Sequence, residues 1–192
     1  MNSPPLLDML RYIWIAFGLY WIIAAKHSRK AGTHEPAFHR VLRWAILVIT
    51  FTLLFWRQLD WGVLGRRAWP EVPGIAVAGF VATLLGLVVA IWARMHLGEY
   101  WSDKVVLKLG HQLIRTGPYA HMRHPIYSGV LLGVLGTAVV LGKVRGLLAF
   151  LMLLTNYAIK ARREDKLLSS SFPDEFRIHA QHAGFLLPKL RL

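Results

Sequence analysis

The chain has 192 residues, of which 55% are apolar, and its 23 Lys and Arg against 10 Asp and Glu give a net charge of +13. Long apolar runs joined by basic connectors, with a mean hydropathy of +0.42, fit an integral membrane protein facing anionic lipid and argue against a soluble nucleic-acid-binding module. With no cysteine there is no disulfide framework, thiolate metal site or cysteine nucleophile.

In chain order, the apolar pattern predicts five membrane spans near 6–25, 42–61, 72–93, 126–142 and 144–163, in a single all-α membrane domain over 1–192. No cleavable signal peptide is expected, because Asp8 precedes the first apolar run and no basic segment leads it. Val72 to Ala93 is 22 residues without a charge, and His124 to Gly142 is 19; both approach the length that crosses a bilayer. Tyr12–Ala25, Trp44–Trp56 and Gly146–Ile159 are 13 or 14 residues between charges. They cross only if the flanking Arg, Lys or Asp side chains reach the interface or are shielded by protein. The first is the least complete. Gly129, Gly133 and Gly136 mark one face of span four as a close helix contact.

Basic residues set the orientation. The 26–43 and 94–123 connectors and the tail from 160 hold 17 Lys and Arg, and the opposite side holds 6. The N-terminus is therefore expected outside and the C-terminus in the cytoplasm, as in a bacterial inner membrane. Val140–Gly146 is short enough to make spans four and five an antiparallel hairpin. Such a hairpin brings two polar clusters to the same membrane depth on the cytoplasmic side.

The first cluster runs from His111-Gln112-Leu113-Ile114 through Gly117-Pro118-Tyr119 to Arg123-His124-Pro125-Ile126-Tyr127-Ser128-Gly129. Gly117 and Pro118 mark a turn, and Pro125 drives His124 out of helical geometry and opens span four. Polar groups this dense at the mouth of a span are costly, so they are functional candidates. The second cluster is Lys160-Ala161-Arg162-Arg163-Glu164-Asp165-Lys166. Alone, Lys160 and Glu164 make only a solvated pair one helical turn apart. His111, His121 and His124 lack acidic companions in their segment and have cationic neighbours, so no metal is expected. No Ser-His-Asp set, phosphate loop or dinucleotide fingerprint is present.

Gly-Pro-Tyr, Arg-His-Pro-x-Tyr-x-Gly and, after the hairpin, the acidic pair of 160–168 resemble the isoprenylcysteine carboxyl methyltransferase family and its bacterial relatives. The resemblance covers about 94–190, which it marks as the catalytic core; 1–70 carries no motif. It implies S-adenosylmethionine as cofactor at the cytoplasmic interface. It also implies that Lys104, His111, Gln112, Leu113, Ile114, Tyr119, His124, Pro125, Ile126, Tyr127 and Glu164 bind that cofactor. Arg123, Lys160 and Arg163 are the candidate catalytic residues. Lys160 stands where the family has its substrate-handling arginine, Asp165 replaces the usual second glutamate and Phe176 replaces a tyrosine. Chemically, Glu164 suits the cofactor's ammonium or ribose, Arg123 its carboxylate, and Tyr119, Tyr127 and Trp101 offer aromatic faces. The function implied is methyl transfer, as carboxyl O-methylation, to a lipophilic or lipidated acceptor among the membrane lipids, with no nucleic acid and no metal involved. A phospholipid or amine N-methyltransferase is the alternative. A sterol-reductase-like enzyme and a non-enzymatic membrane scaffold are weaker ones.

Overall fold

The computed structural model describes residues 5–26, 37–101 and 113–189. Within them lie six helices: α1 (Pro5–Ala25), α2 (Ala37–Phe55), α3 (Pro73–Leu97), α4 (Pro125–Leu141), α5 (Val144–Ser171) and α6 (Pro173–His182). The described residues contain only isolated bridges in place of strands, Arg67 with Lys143 and Met122 with Gly184. The expected all-α class is what the chain forms. Among the described residues, α1, α3 with its following turn, and α5 are long and apolar enough to cross a bilayer. α2, at 19 residues, and α4, at 17, are the shorter helices of the same bundle.

Prolines open α3 and α4, and glycines cap their C-terminal ends. Pro73 and Pro125 occupy first-turn positions, where their missing N–H costs nothing. α4 ends on Gly142, whose φ of +67° a side chain would strain. That turn delivers the chain directly into α5, so the expected hairpin forms.

Several boundaries differ from the sequence expectation: α2 begins at Ala37 rather than near 42, α3 runs on to Leu97, and the ends of α2 and α5 shift furthest. α2 stops at Phe55 rather than near 61: Trp56 is extended and Arg57–Leu59 form one 3-10 turn. This places Asp60 where it meets Lys143 and, at 3.0 Å, Nε of Arg145. Arg145 is 1% exposed, so the carboxylate compensates a charge held inside the protein. α5 in turn runs past 163 without a break. Its buried face continues through Ala161 to the acidic pair, and it stops only where Pro173 begins α6.

The closest helix contact is between α3 and α4. A Cβ on Gly86 would lie 2.5 Å from the Gly133 nitrogen, and one on Gly129 2.6 Å from the Ala90 nitrogen. At Gly136 it would lie 2.6 Å from the Thr83 nitrogen. The two backbones therefore touch along a seam that admits no side chain. Thr83 Oγ1 donates across this seam to the Gly133 carbonyl at 3.2 Å, and Trp14 of α1 donates from Nε1 to Thr137 Oγ1 at 2.9 Å. Leu10, Leu54, Leu87, Val134 and Leu153 fill the core around it. The seam fixes the depth at which α4 begins, and that start carries the site.

Candidate active site

Because His124 precedes a proline, it adopts φ −125°, ψ 56° and stays outside α4. Its ring points at the last polar turns of α5. Nε2 lies 2.8 Å from Asp165 Oδ1, and Nδ1 lies 3.5 Å from Glu164 Oε2. The acids that the histidines lack in their own segment thus come from the other arm of the hairpin. Burial disfavours the imidazolium, but the hydrogen bonds to Asp165 and Glu164, and their charges, outweigh it and raise the His124 pKa above 6.5.

One turn into α4, Tyr127 donates its hydroxyl to Glu164 Oε1 at 2.6 Å, and its ring lies parallel to the His124 ring with centroids 5.6 Å apart. Lys160 Nζ sits 3.8 Å from the same carboxylate oxygen and 5.2 Å from the Tyr127 ring centroid. Tyr157 closes against Tyr127 at 4.8 Å. An ammonium, a carboxylate, a phenol and an imidazole thus share one aromatic-walled corner.

Arg123 faces the other side of the acidic pair. Nε and Nη2 each lie 3.1 Å from Asp165 Oδ2, and Nη1 donates to the Ala183 carbonyl at 2.8 Å. The tail is strapped across the connector by backbone bonds: Arg123 N–H to Gly184 O at 2.8 Å, and Gly184 N–H to His121 O at 3.0 Å. Ser128 Oγ donates to the Leu186 carbonyl, and Phe185 stands edge-on to His124 at 5.4 Å.

Upstream, Gly117–Ala120 form a 3-10 turn that buries Tyr119. Its hydroxyl lies 3.4 Å from the Ala93 carbonyl, and burial, with Glu164's charge adding, raises its pKa so that it stays a donor. Ile114 packs onto the patch of Ala93, Tyr119 and Ile126, together with Trp21, Leu97, Trp101 and Tyr127.

The structure therefore gathers Arg123, His124, Pro125, Ile126, Tyr127, Lys160 and Glu164 into one corner, with Ile114 and Tyr119 adjoining it. Leu113 is half-buried at the edge of the described connector. Arg163 is exposed, one helical step of ~100° away from the Lys160–Glu164 face. Lys104, His111 and Gln112 lie outside the described residues.

Three features had no contact in the site assigned from the sequence. Asp165 is the carboxylate shared by Arg123 and His124. The carbonyls of Ala183 and Gly184 carry no side-chain signal. Arg94, counted among connector charges, is buried: it donates to the Ala24 carbonyl at 2.6 Å and the Gly98 carbonyl at 2.8 Å, and lies 4.5 Å over Trp101. Its position at the end of an apolar span, beside Trp101 and Tyr119, was the available clue.

The donor set fits S-adenosylmethionine. Glu164 and Tyr127 match an ammonium or hydroxyls, and the aromatic walls match a sulfonium or adenine. Arg94 Nε is a buried donor with no hydrogen-bond partner among the described residues and matches a carboxylate.

Residues 75–175 match the sequence profile of the phospholipid methyltransferase family. An uncharacterized protein of Bacillus subtilis, YpbQ, is 33% identical over 88 residues, covering 46% of this chain and 51% of that one. A probable protein-S-isoprenylcysteine O-methyltransferase of Oryza sativa subsp. indica is 28% identical over 173 residues, 86% of each chain. The solved structure of the eukaryotic intramembrane Ras methyltransferase ICMT shares the fold with a TM-score of 0.54 at 20% identity, over 82% of this chain and 54% of that one. The chain thus spans about half the length of the Bacillus relative and of the solved methyltransferase.

Proposed function

The chain belongs to the phospholipid methyltransferase family, and from that premise we propose that it is a membrane enzyme that methylates a lipophilic or lipidated acceptor from S-adenosylmethionine. The observation that carries this reading is the Tyr127–Glu164–Lys160 corner, where a soluble cationic cofactor can meet a lipid-borne group. The reading places the corner at the cytoplasmic interface, with the C-terminus on that side, because the basic residues concentrate there.

Glu164, kept in place by Tyr127, His124 and Lys160, would hold the cofactor's ammonium or ribose. Tyr119, Tyr127 and Trp101 would offer aromatic faces, with Leu113, Ile114, Pro125 and Ile126 as apolar wall. Lys104, His111 and Gln112 are assigned to the same pocket by family resemblance. The bound cofactor supplies a methyl group on a sulfonium sulfur. An ionised carboxylate on the acceptor needs no general base, so carboxyl O-methylation asks the protein only for placement. Lys160, 11% exposed at the edge of the corner, is suited to hold that carboxylate as a point charge. Arg123 acts through Asp165 and the tail, as a positioning residue. Arg163, exposed beside the corner, would meet the acceptor or a lipid headgroup from outside.

Calorimetry on the protein in detergent tests the cofactor, with S-adenosylhomocysteine in parallel; absence of binding to either would sink the proposal. Radiolabelled methyl transfer to total membrane lipid extract tests the acceptor class. Base-labile product means an ester, and base-stable product means an N-methylated amine.

A further inference from the structure

Two buried side-chain nitrogens lack a hydrogen-bond partner among the described residues, Arg94 Nε and Asn156 Nδ2. Arg94 Nε is accounted for by its match to the cofactor's carboxylate, beside the Nη1 and Nη2 bonds to the Gly98 and Ala24 carbonyls. Asn156 is not. It lies in the stretch of α5 between Arg145 and Lys160, where Thr155 returns its hydroxyl to the Leu151 carbonyl. A carboxamide at this depth with an unused N–H is costly in an apolar layer, and such groups mark functional positions.

Its place on the helix says what it serves. Asn156, Lys160 and Glu164 follow at four-residue intervals on one face, each about 6 Å further along the axis than the last. Asn156 is the deepest of the three. Nδ2 is covered by its protein neighbours, and at this depth, a helical turn below Lys160, a molecule that displaces them comes from the apolar phase. A lipid-like molecule whose reacting group lies at Lys160 reaches it by that route, while the cofactor comes from water.

We propose that Asn156 selects the methyl acceptor, donating from Nδ2 to an uncharged oxygen, such as an amide or ester carbonyl, on the lipid about one helical turn below the methylated group. This rests on the methyltransferase reading above. The acceptor is thereby an amphiphile with two polar points: an ionised group at Lys160 and a neutral carbonyl deeper in. A plain fatty acid, with its single carboxylate, satisfies Lys160 and leaves Asn156 unpaired.

The test uses Asn156→Leu and Asn156→Gln in the full-length protein, with radiolabelled methyl transfer to detergent-dispersed total membrane lipid extract and calorimetry with S-adenosylmethionine. Asn156→Leu should raise KM for the extract about tenfold or more, with kcat nearly unchanged and cofactor Kd within about twofold of wild type. Asn156→Gln, which keeps the amide, should recover part of the loss. Asn156→Leu should melt no lower than wild type, because it removes an unpaired donor and adds apolar packing. Unchanged KM in Asn156→Leu, or a lowered melting temperature with unchanged KM, overturns the proposal and gives Asn156 a structural place. Wild-type protein that binds cofactor but labels no lipid overturns the acceptor assignment and this proposal with it. Wild-type protein that binds no cofactor overturns the methyltransferase reading itself.

Discussion

The Tyr127 hydroxyl and Glu164 Oε1 are 2.6 Å apart although 37 positions separate them in the chain. The two-residue turn at Gly142 and Lys143 returns α5 alongside α4; Glu164 lies about 9 Å further along its helix from the turn than Tyr127 does, and the two long side chains close that gap. Tyr127→Phe should weaken S-adenosylmethionine binding by roughly tenfold, the equivalent of ~1.5 kcal/mol for a hydrogen bond to a charged group. Glu164→Gln removes the charge as well and should cost about a hundredfold or more. Calorimetry on both variants checks this, and wild-type affinity in the two of them would remove Glu164 from the cofactor pocket.

Arg123 predicts a mechanical effect. Its guanidinium joins Asp165 to the Ala183 carbonyl, so Arg123→Ala should release the tail from the connector. Limited proteolysis should then cut between 172 and 189 several-fold faster than in wild type. An unchanged cleavage rate would mean that the backbone bonds of Gly184 hold the strap without help.

His124 predicts a pH dependence. Burial works against its charged form, but the hydrogen bonds to Asp165 and Glu164 outweigh that and hold its native pKa above 6.5. The imidazolium therefore stabilises the fold fully below the ordinary histidine value, and that stabilisation fades as pH climbs through the raised native value. The melting-temperature gap between wild type and His124→Gln in detergent should be widest near pH 6 and shrink toward alkaline pH. Each pH unit between the ordinary histidine value and the raised native one removes about 1.4 kcal/mol at most. A gap that widens with pH would show the ring buried in its neutral form.

The α3–α4 seam predicts intolerance of size. Gly86→Val would drive a branched side chain into the backbone at Gly133 and should cost ~3 kcal/mol or more, since packed backbones cannot yield as a side chain does. Gly18, with open space where a Cβ would stand, is the control: Gly18→Ala should be neutral or slightly stabilising in helix α1. Thermal unfolding in detergent separates the two.

These relationships were legible in the sequence to unequal degrees. The long uncharged runs gave α3 and α4, and the short Gly142 turn gave the approach of Tyr127 to Glu164, because both follow from local chain geometry. The small residues Gly79, Thr83, Gly86 and Ala90 were equally visible in span three, but one helix's small face does not name its partner. Asp165 was visible only as a replacement for the usual second glutamate, and the non-helical turn at His124 makes it the shared partner of Arg123 and His124. The tail acts through backbone carbonyls at Ala183 and Gly184, which every residue possesses. Arg94 and Arg145 were counted with the connector charges, because a charge at a span end reads as solvated until the fold covers it.

The last prediction separates stability from the site. Arg145 is 1% exposed and is compensated by Asp60, whose burial would raise its own pKa but is outweighed by Lys143 and Arg145, which lower it. This cluster closes the end of the hairpin remote from Glu164. Asp60→Asn leaves the guanidinium inside the protein without a counter-charge and should cost about 3 kcal/mol. Replacing both members, as Asp60→Asn with Arg145→Leu, should recover much of that loss, because the penalty comes from the unpaired charge rather than from the missing bond. Cofactor affinity, measured on the folded fraction, should stay at the wild-type value in both. A fall in affinity equal to the fall in stability would instead mean that the two ends of the α4–α5 hairpin move as one, and that Asp60 helps set the register of Tyr127 against Glu164.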